Sequence, residues 1–146
     1  LIFAEDIIAW LDPLRAAGNA KFIGGIGTMP QAIDQMKVDK SIFVLPPVRV
    51  AGPNEVSTGV IRQTITVHWR LLYAGRNIGN RWADQSKQID LDMMAIEDRM
   101  LGWTKDRQIH SPAELQKSSQ EDLTSMEAGT VLYSLDFSSR EHKRKP

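Results

Sequence analysis

The chain has 146 residues with ordinary hydrophobic content and 25% charged residues, which fits one soluble domain built on one core. Eighteen basic residues balance eighteen acidic ones, so the whole molecule has no bulk attraction for nucleic acid or anionic lipid. The lack of cysteine excludes disulfide scaffolds, thiol catalysis and sulfur-ligated zinc.

No apolar run reaches the roughly 18 residues of a membrane span, and Glu5 and Asp6 stand where a secretory signal would carry positive charge. The expectation is a protein made in the cytoplasm and kept there, or assembled there into something larger, with no membrane partner.

Ala4 to Ala17 places Ile7, Ile8, Trp10, Leu11 and Leu14 on one broad face, the pattern of a helix, which Pro13 kinks or breaks and Gly18-Asn19 ends. Lys21 to Ile26 reads as a weak strand. Its GGIG string lacks the lysine and following Ser or Thr of a phosphate loop, so a plain turn is preferred. Pro30 to Val38 reads as a short helix capped by Thr28.

Ser41 to Val50 begins as a buried strand and is interrupted, or confined to an edge, by Pro46-Pro47. Ala51 to Gly59 is rich in turn formers and reads as a loop of about nine residues. Pro53, Asn54 and Glu55 are its candidate partner contacts.

Val60 to Tyr73 is the organising stretch. Ile61, Ile65, Val67, Trp69, Leu71 and Tyr73 form one row of a strand, broken at Gln63, while Arg62, Thr64, Thr66, His68 and Arg70 form the other. At about 3.3 Å per residue it would span roughly 46 Å, longer than the roughly 40 Å diameter of a compact chain of this size. The strand must twist strongly or project, and the polar and basic row is a candidate subunit or channel surface.

Trp82 to Leu101 carries Ile89, Met93, Ile96 and Met100 at helical spacing, with Asp90, Asp92, Glu97 and Asp98 largely off that stripe, and Gly102 ends it. Lys105 to Glu121 has no clear pattern, although Ser111-Pro112 opens a strand or helix around Leu115. In Thr130 to Ser138, Val131, Tyr133, Leu135 and Phe137 alternate with more polar neighbours, a strand for which Leu123 to Met126 is the expected partner. Residues 139–146, with Arg140, Lys143, Arg144 and Lys145, read as a flexible basic tail to the single domain 1–146.

No catalytic constellation emerges. His68, His110 and His142 lie far apart, and none has a carboxylate at a metal-ligand spacing. The methionines read as core filling. The expectation is a protein that is not an enzyme, with no catalytic, cofactor or metal residues and no cofactor.

Four strings in order resemble the bacteriophage tail terminator family. Phe43-Val44-Leu45-Pro46 ends a strand, and Gly59-Val60-Ile61-Arg62-Gln63 opens the long one, which runs to Arg76-Asn77. The amphipathic helix closes in Leu101-Gly102-Trp103, and the late strand pair ends in Asp136-Phe137. They span most of the chain after residue 40, whereas the first 40 residues match only in starting with a helix and Lys105 to Glu121 departs from the pattern.

The resemblance implies an α+β fold, a mainly antiparallel sheet with helices packed on one face, to which the strand before the loop of Ala51 to Gly59 and the organising strand after it add a long β-hairpin. It implies a structural virion protein assembled in the host cytoplasm and located at the head-proximal end of the tail. There it would form a ring, typically a hexamer, that stops tube growth. Its partners would be other copies of itself, the tail tube protein, a head-completion or neck protein, and the sheath where the tail is contractile. DNA passing through would be touched at most non-specifically. The long hairpin and an edge strand at Thr130 to Ser138 would supply the ring interface. Another neck or tail-completion protein, a nucleic-acid module using Arg62, Arg70 and the tail, and a small enzyme with a pocket at His68 or His110 are the competing readings.

Overall fold

The computed structural model describes residues 1–27, 40–57, 59–76, 82–120 and 130–145. The helix Pro30–Val38 and the strand Leu123–Met126 expected from sequence lie outside them.

The longest strand is β4, Val60–Arg76, and its length decides the sheet around it. Strands β1 (Phe22–Gly25), β2 (Ser41–Val44), β3 (Val48–Ser57), β5 (Glu114–Gln120) and β6 (Thr130–Lys145) complete a sheet of order β1-β2-β4-β6-β5, with β3 also paired to β4. Among the described residues only β1 and β2 pair in parallel. One edge of β4 is shared. Its C-terminal part takes β2, from Val44 opposite Leu71 to Ser41 opposite Ala74, and its N-terminal part takes β3, from Val48 opposite His68 to Ser57 opposite Val60. Pro46-Pro47 separates β2 from β3, the interruption that the missing N–H groups require.

The other edge of β4 pairs with β6 along almost its whole length, from Ile61 opposite Lys145 to Arg76 opposite Thr130. Two expectations are corrected here. Residues 139–145 are a strand and not a flexible tail, because β4 supplies a template for every residue of it and the His142 N–H also donates to the Ile109 carbonyl at 3.0 Å. Thr130 to Ser138 is no edge strand, because β5 covers its far side from Gln120 opposite Tyr133 to Glu114 opposite Ser138. The patternless stretch after Lys105 therefore contains a strand, whose exposed polar residues gave no apolar alternation.

A third correction concerns Pro53, Asn54 and Glu55. They belong to β3, which runs on to Ser57 through a bulge between Ala51 and Asn54. Gly52 makes that bulge possible, since a Cβ there would lie 2.8 Å from the Thr64 carbonyl oxygen. The Gln63 side-chain amide donates to the Gly52 carbonyl at 2.9 Å and satisfies a group that lies at the bulge. Gly59, at a φ of +79°, helps turn the chain from β3 into β4.

The N-terminal helix is divided at Pro13 into α1 (Ala4–Leu11) and α2 (Pro13–Ala16), and Gly18 follows in the left-handed region with φ +82°. Helix α3 spans Trp82–Met100. The main core joins Ile7 and Leu11 of α1, Ile89, Met93, Ile96 and Met100 of α3, Val67, Trp69, Leu71 and Tyr73 of β4, and Leu135 and Phe137 of β6. Leu72 and Ala74 point the other way and join Ile26, Phe43 and Leu132 in a second cluster. The even row of β4 is thus polar only as far as Arg70. Among the described residues no helix is long and apolar enough to cross a membrane.

Candidate interface surfaces

Beyond the core, β3, β4 and β6 continue together as a three-stranded arm. Alternation puts Arg62, Thr64, Thr66, His68 and Arg70 on one face of it, and the register sets Arg144, His142, Arg140, Ser138 and Asp136 of β6 beside them in that order. Glu55 flanks Arg62 from the other side. The sequence placed these residues in three separate groups, namely a strand face, a loop and a tail. Glu55, Arg62, Thr64, His142, Lys143 and Arg144 in fact line one groove of ≈ 420 Å³. Asn54 pairs with Gln63 and so lies on the opposite face, and Pro53 sits at the bulge.

The charges on this face are unevenly compensated. Arg70 grips Asp136 with two bonds, Nε to Oδ1 at 2.6 Å and Nη2 to Oδ2 at 3.1 Å. By contrast Arg62, Arg140 and Arg144 enter no ion pair among the described residues, and Arg62 stands directly opposite Arg144. Like charges across a ladder are unfavourable, so this face gains by meeting an anionic partner. His68, exposed, borders an open groove of ≈ 610 Å³ with Leu45, Pro46, Val48, Arg70 and Asp136. His68 itself enters no ion pair among the described residues.

Two buried polar clusters escaped the sequence. Asp92 of α3 is fully buried and not on a solvated side of the helix. It accepts from the Tyr73 hydroxyl at 2.7 Å, from Gln88 at 2.9 Å and from Asn19 at 3.2 Å, and Lys40 lies 3.5 Å away. A tyrosine in a buried row needs a partner for its hydroxyl, and that need was the one available signal.

In the second cluster His110 and Glu141 are both buried. His110 Nε2 lies 3.7 Å from Glu141 Oε2, and Arg49 donates to Glu141 Oε1 at 3.0 Å. Both ring nitrogens and Glu141 Oε2 lack a hydrogen-bond partner among the described residues. The cluster ties β3, β6 and the segment after α3 together at the root of the arm. Among the described residues no group of three or more His, Asp or Glu is placed to hold a metal.

Burial pushes the His110 imidazole below its ordinary 6.5. The nearby Glu141 carboxylate opposes that shift, the N-terminal amine adds to it, Asp106 opposes it and Lys105 adds to it. A depressed value means that the unfolded chain takes up this proton first. The stability that neutral His110 contributes is complete above about 6.5 and is lost as pH falls toward the folded value. Urea midpoints measured from pH 7.5 to pH 5.5 should fall more for the native chain than for His110→Gln, and equal slopes would show that His110 carries no such linkage.

The phage tail terminator protein family model matches residues 7–145. The chain belongs to that family. A structural role in a phage tail goes with the membership, and the protein is a virion component. Among solved structures, this tail terminator family member is similar to a chain in the virion of a native gene transfer agent particle. The two share 11% identity over 97% of this chain and 92% of the other, with a TM-score of 0.56, a likeness of fold. No curated protein sequence matches it.

Proposed function

We propose that the protein forms a ring, of six subunits, on the head-proximal end of the tail tube, where it stops tube polymerisation and presents a surface to the head-completion or neck protein. The arm carries this reading. Its three strands extend past the packed helices, and its basic side holds cations that enter no ion pair among the described residues. A closed ring needs unlike, complementary patches on each subunit, and a projecting arm is suited to be one of them. No catalytic step is part of the reading, and the sheath joins the partners where the tail is contractile.

Mass photometry and electron microscopy of the full chain, alone and with tube protein, test it. Rings capping tube ends, and tubes that stop growing when the protein is added, are the expected result. Monomers under both conditions overturn it.

Arg62, Arg140 and Arg144, which enter no ion pair among the described residues and lie beside His142, favour a second reading, a nucleic-acid module. A persistent monomer whose affinity for a short DNA duplex falls steeply between 50 and 200 mM salt, on the order of a thousandfold or more for six or more phosphate contacts, would select that reading instead.

A further inference from the structure

The core-facing row of β4 outlasts the core. Val67, Trp69, Leu71 and Tyr73 lie under α1 and α3, Ile65 is the last buried member, and the row then continues outward as Gln63 and Ile61. The register sets Val56 and Lys145 on either side of Ile61, and Asn54 and Lys143 on either side of Gln63, so the six share one face. Val56 is 70% and Ile61 43% exposed. A groove of ≈ 370 Å³ lies among Ile61, Gln63, Lys143 and Lys145, and neither lysine has an ion-pair partner among the described residues. The patch is apolar at its centre and cationic along one side.

Helix α3 and the turn after it offer the opposite combination. Leu91, Met94 and Leu101 are each about half exposed, at the spacing of one outward ridge. Asp90, Glu97 and Asp98 border them, without ion-pair partners among the described residues. Lys87 lies toward one end of the ridge, and Arg107 lines a groove with Asp98 and Leu101 at the other. The inner side of α3 already covers this same β4 row farther along, with Ile89, Met93, Ile96 and Met100. The uncovered part of the row is therefore a surface that an amphipathic helix fits. The chain's own α3 is committed elsewhere. Trp69, which meets Trp103 just beyond α3, is eight residues from Ile61 along β4, or roughly 26 Å.

We infer that the arm of one copy docks on the exposed ridge of α3 of the next copy. Val56 and Ile61 meet Leu91, Met94 and Leu101, while Lys143 and Lys145 face Asp90, Glu97 and Asp98. The contact joins two unlike patches and repeats head to tail, as a heterologous closed ring requires. It rests on the ring reading and deepens it by naming the two surfaces.

Opposite charge reversals test it in the full chain. Lys143→Glu with Lys145→Glu makes the arm acidic, and Asp90→Lys with Asp98→Lys makes the ridge basic. With tube ends present, each variant alone should form rings about tenfold or more less well than the native chain. An equimolar mixture should recover them, because each arm then finds an opposite ridge on the other variant. Native-like assembly by either variant alone overturns the inference, as does a mixture that stays unassembled while circular dichroism shows both variants folded. Should a reversal fail to fold, Lys143→Gln with Lys145→Gln serves, and undiminished assembly by that variant overturns the inference. A native chain that makes no ring sinks the ring reading itself, an outcome visible before any variant is used.

Discussion

Asp92→Ala should lower the stability of the chain by about 3–5 kcal/mol, the range found when one partner of a buried charged network is removed. The carboxylate is fully buried and holds groups from three parts of the chain: Tyr73 from β4, Asn19 from the end of α2, and Lys40 from the entry to β2. Deleting it removes one acceptor of the Tyr73 hydroxyl and the counter-charge of the Lys40 ammonium, and both losses are costly. Lys40 also sits at φ +58°, an unusual conformation for a residue other than glycine. Its backbone is held in an unfavourable state partly by the contacts its side chain makes to Asp92 and to the Gly18 carbonyl. For a chain of this size the expected fall in Tm is roughly 10 °C. Tyr73→Phe removes one donor and no charge, so it should cost only about 1 kcal/mol. A double-mutant cycle on Asp92 and Tyr73 should show their coupling directly. A loss below about 1 kcal/mol for Asp92→Ala would mean that solvent or another group replaces the network.

The same cluster marks the limit of what the sequence discloses. Alternation on β4 located the core correctly from Ile65 to Tyr73, because one buried row is a local pattern of period two. It failed at Leu72 and Ala74, where the second cluster buries the other row as well and the pattern becomes continuous. Helical spacing in α3 found Ile89, Met93, Ile96 and Met100. It set Asp92 largely off that stripe and did not show that Asp92 faces inward, since its partners come from residues up to 73 positions away.

Turn-forming and charged residues misled for a related reason. Pro53-Asn54 and Arg140–Lys145 carry loop-like and tail-like composition, yet both lie in strands because β4 offers them a ladder. A bulge at Gly52-Pro53 absorbs the conflict in β3. His110 and Glu141 are 31 positions apart, and only the pairing of β6 with its neighbours brings them together. The candidate surface residues came from three separate segments, and their assembly into one arm depends on register, which no single segment encodes.

Trp103→Ala should be comparably severe, with a loss of about 3–5 kcal/mol, as for other large aromatic truncations in a core. Trp103 is nearly buried, meets Trp69 edge-on at 5.9 Å and lies against Trp10 with ring centroids 6.3 Å apart. Trp69 in turn stacks on Phe137 at 6.2 Å. One side chain thus links α1, the end of α3, β4 and β6. Its backbone is fixed as well, since the Ala113 N–H donates to the Trp103 carbonyl at 2.8 Å and the Gly102 N–H to the Ala113 carbonyl at 2.8 Å. Those bonds and Gly102 at φ +81° hold the chain in place around the gap, so the cavity will not collapse readily. Trp10 has independent support: its Nε1 donates to the Arg99 carbonyl at 2.6 Å, and the Arg99 guanidinium lies 3.7 Å from its ring centre. The contact of α1 with α3 should therefore survive while both helices loosen from β4. Urea unfolding followed by far-UV circular dichroism gives the loss, and hydrogen exchange locates it. Exchange should speed up in α1 and α3 before it does in the arm strands. A uniform change over the whole chain would show that Trp103 stabilises it only globally. Trp103→Phe keeps an aromatic edge for Trp69 and should recover a large part of the loss.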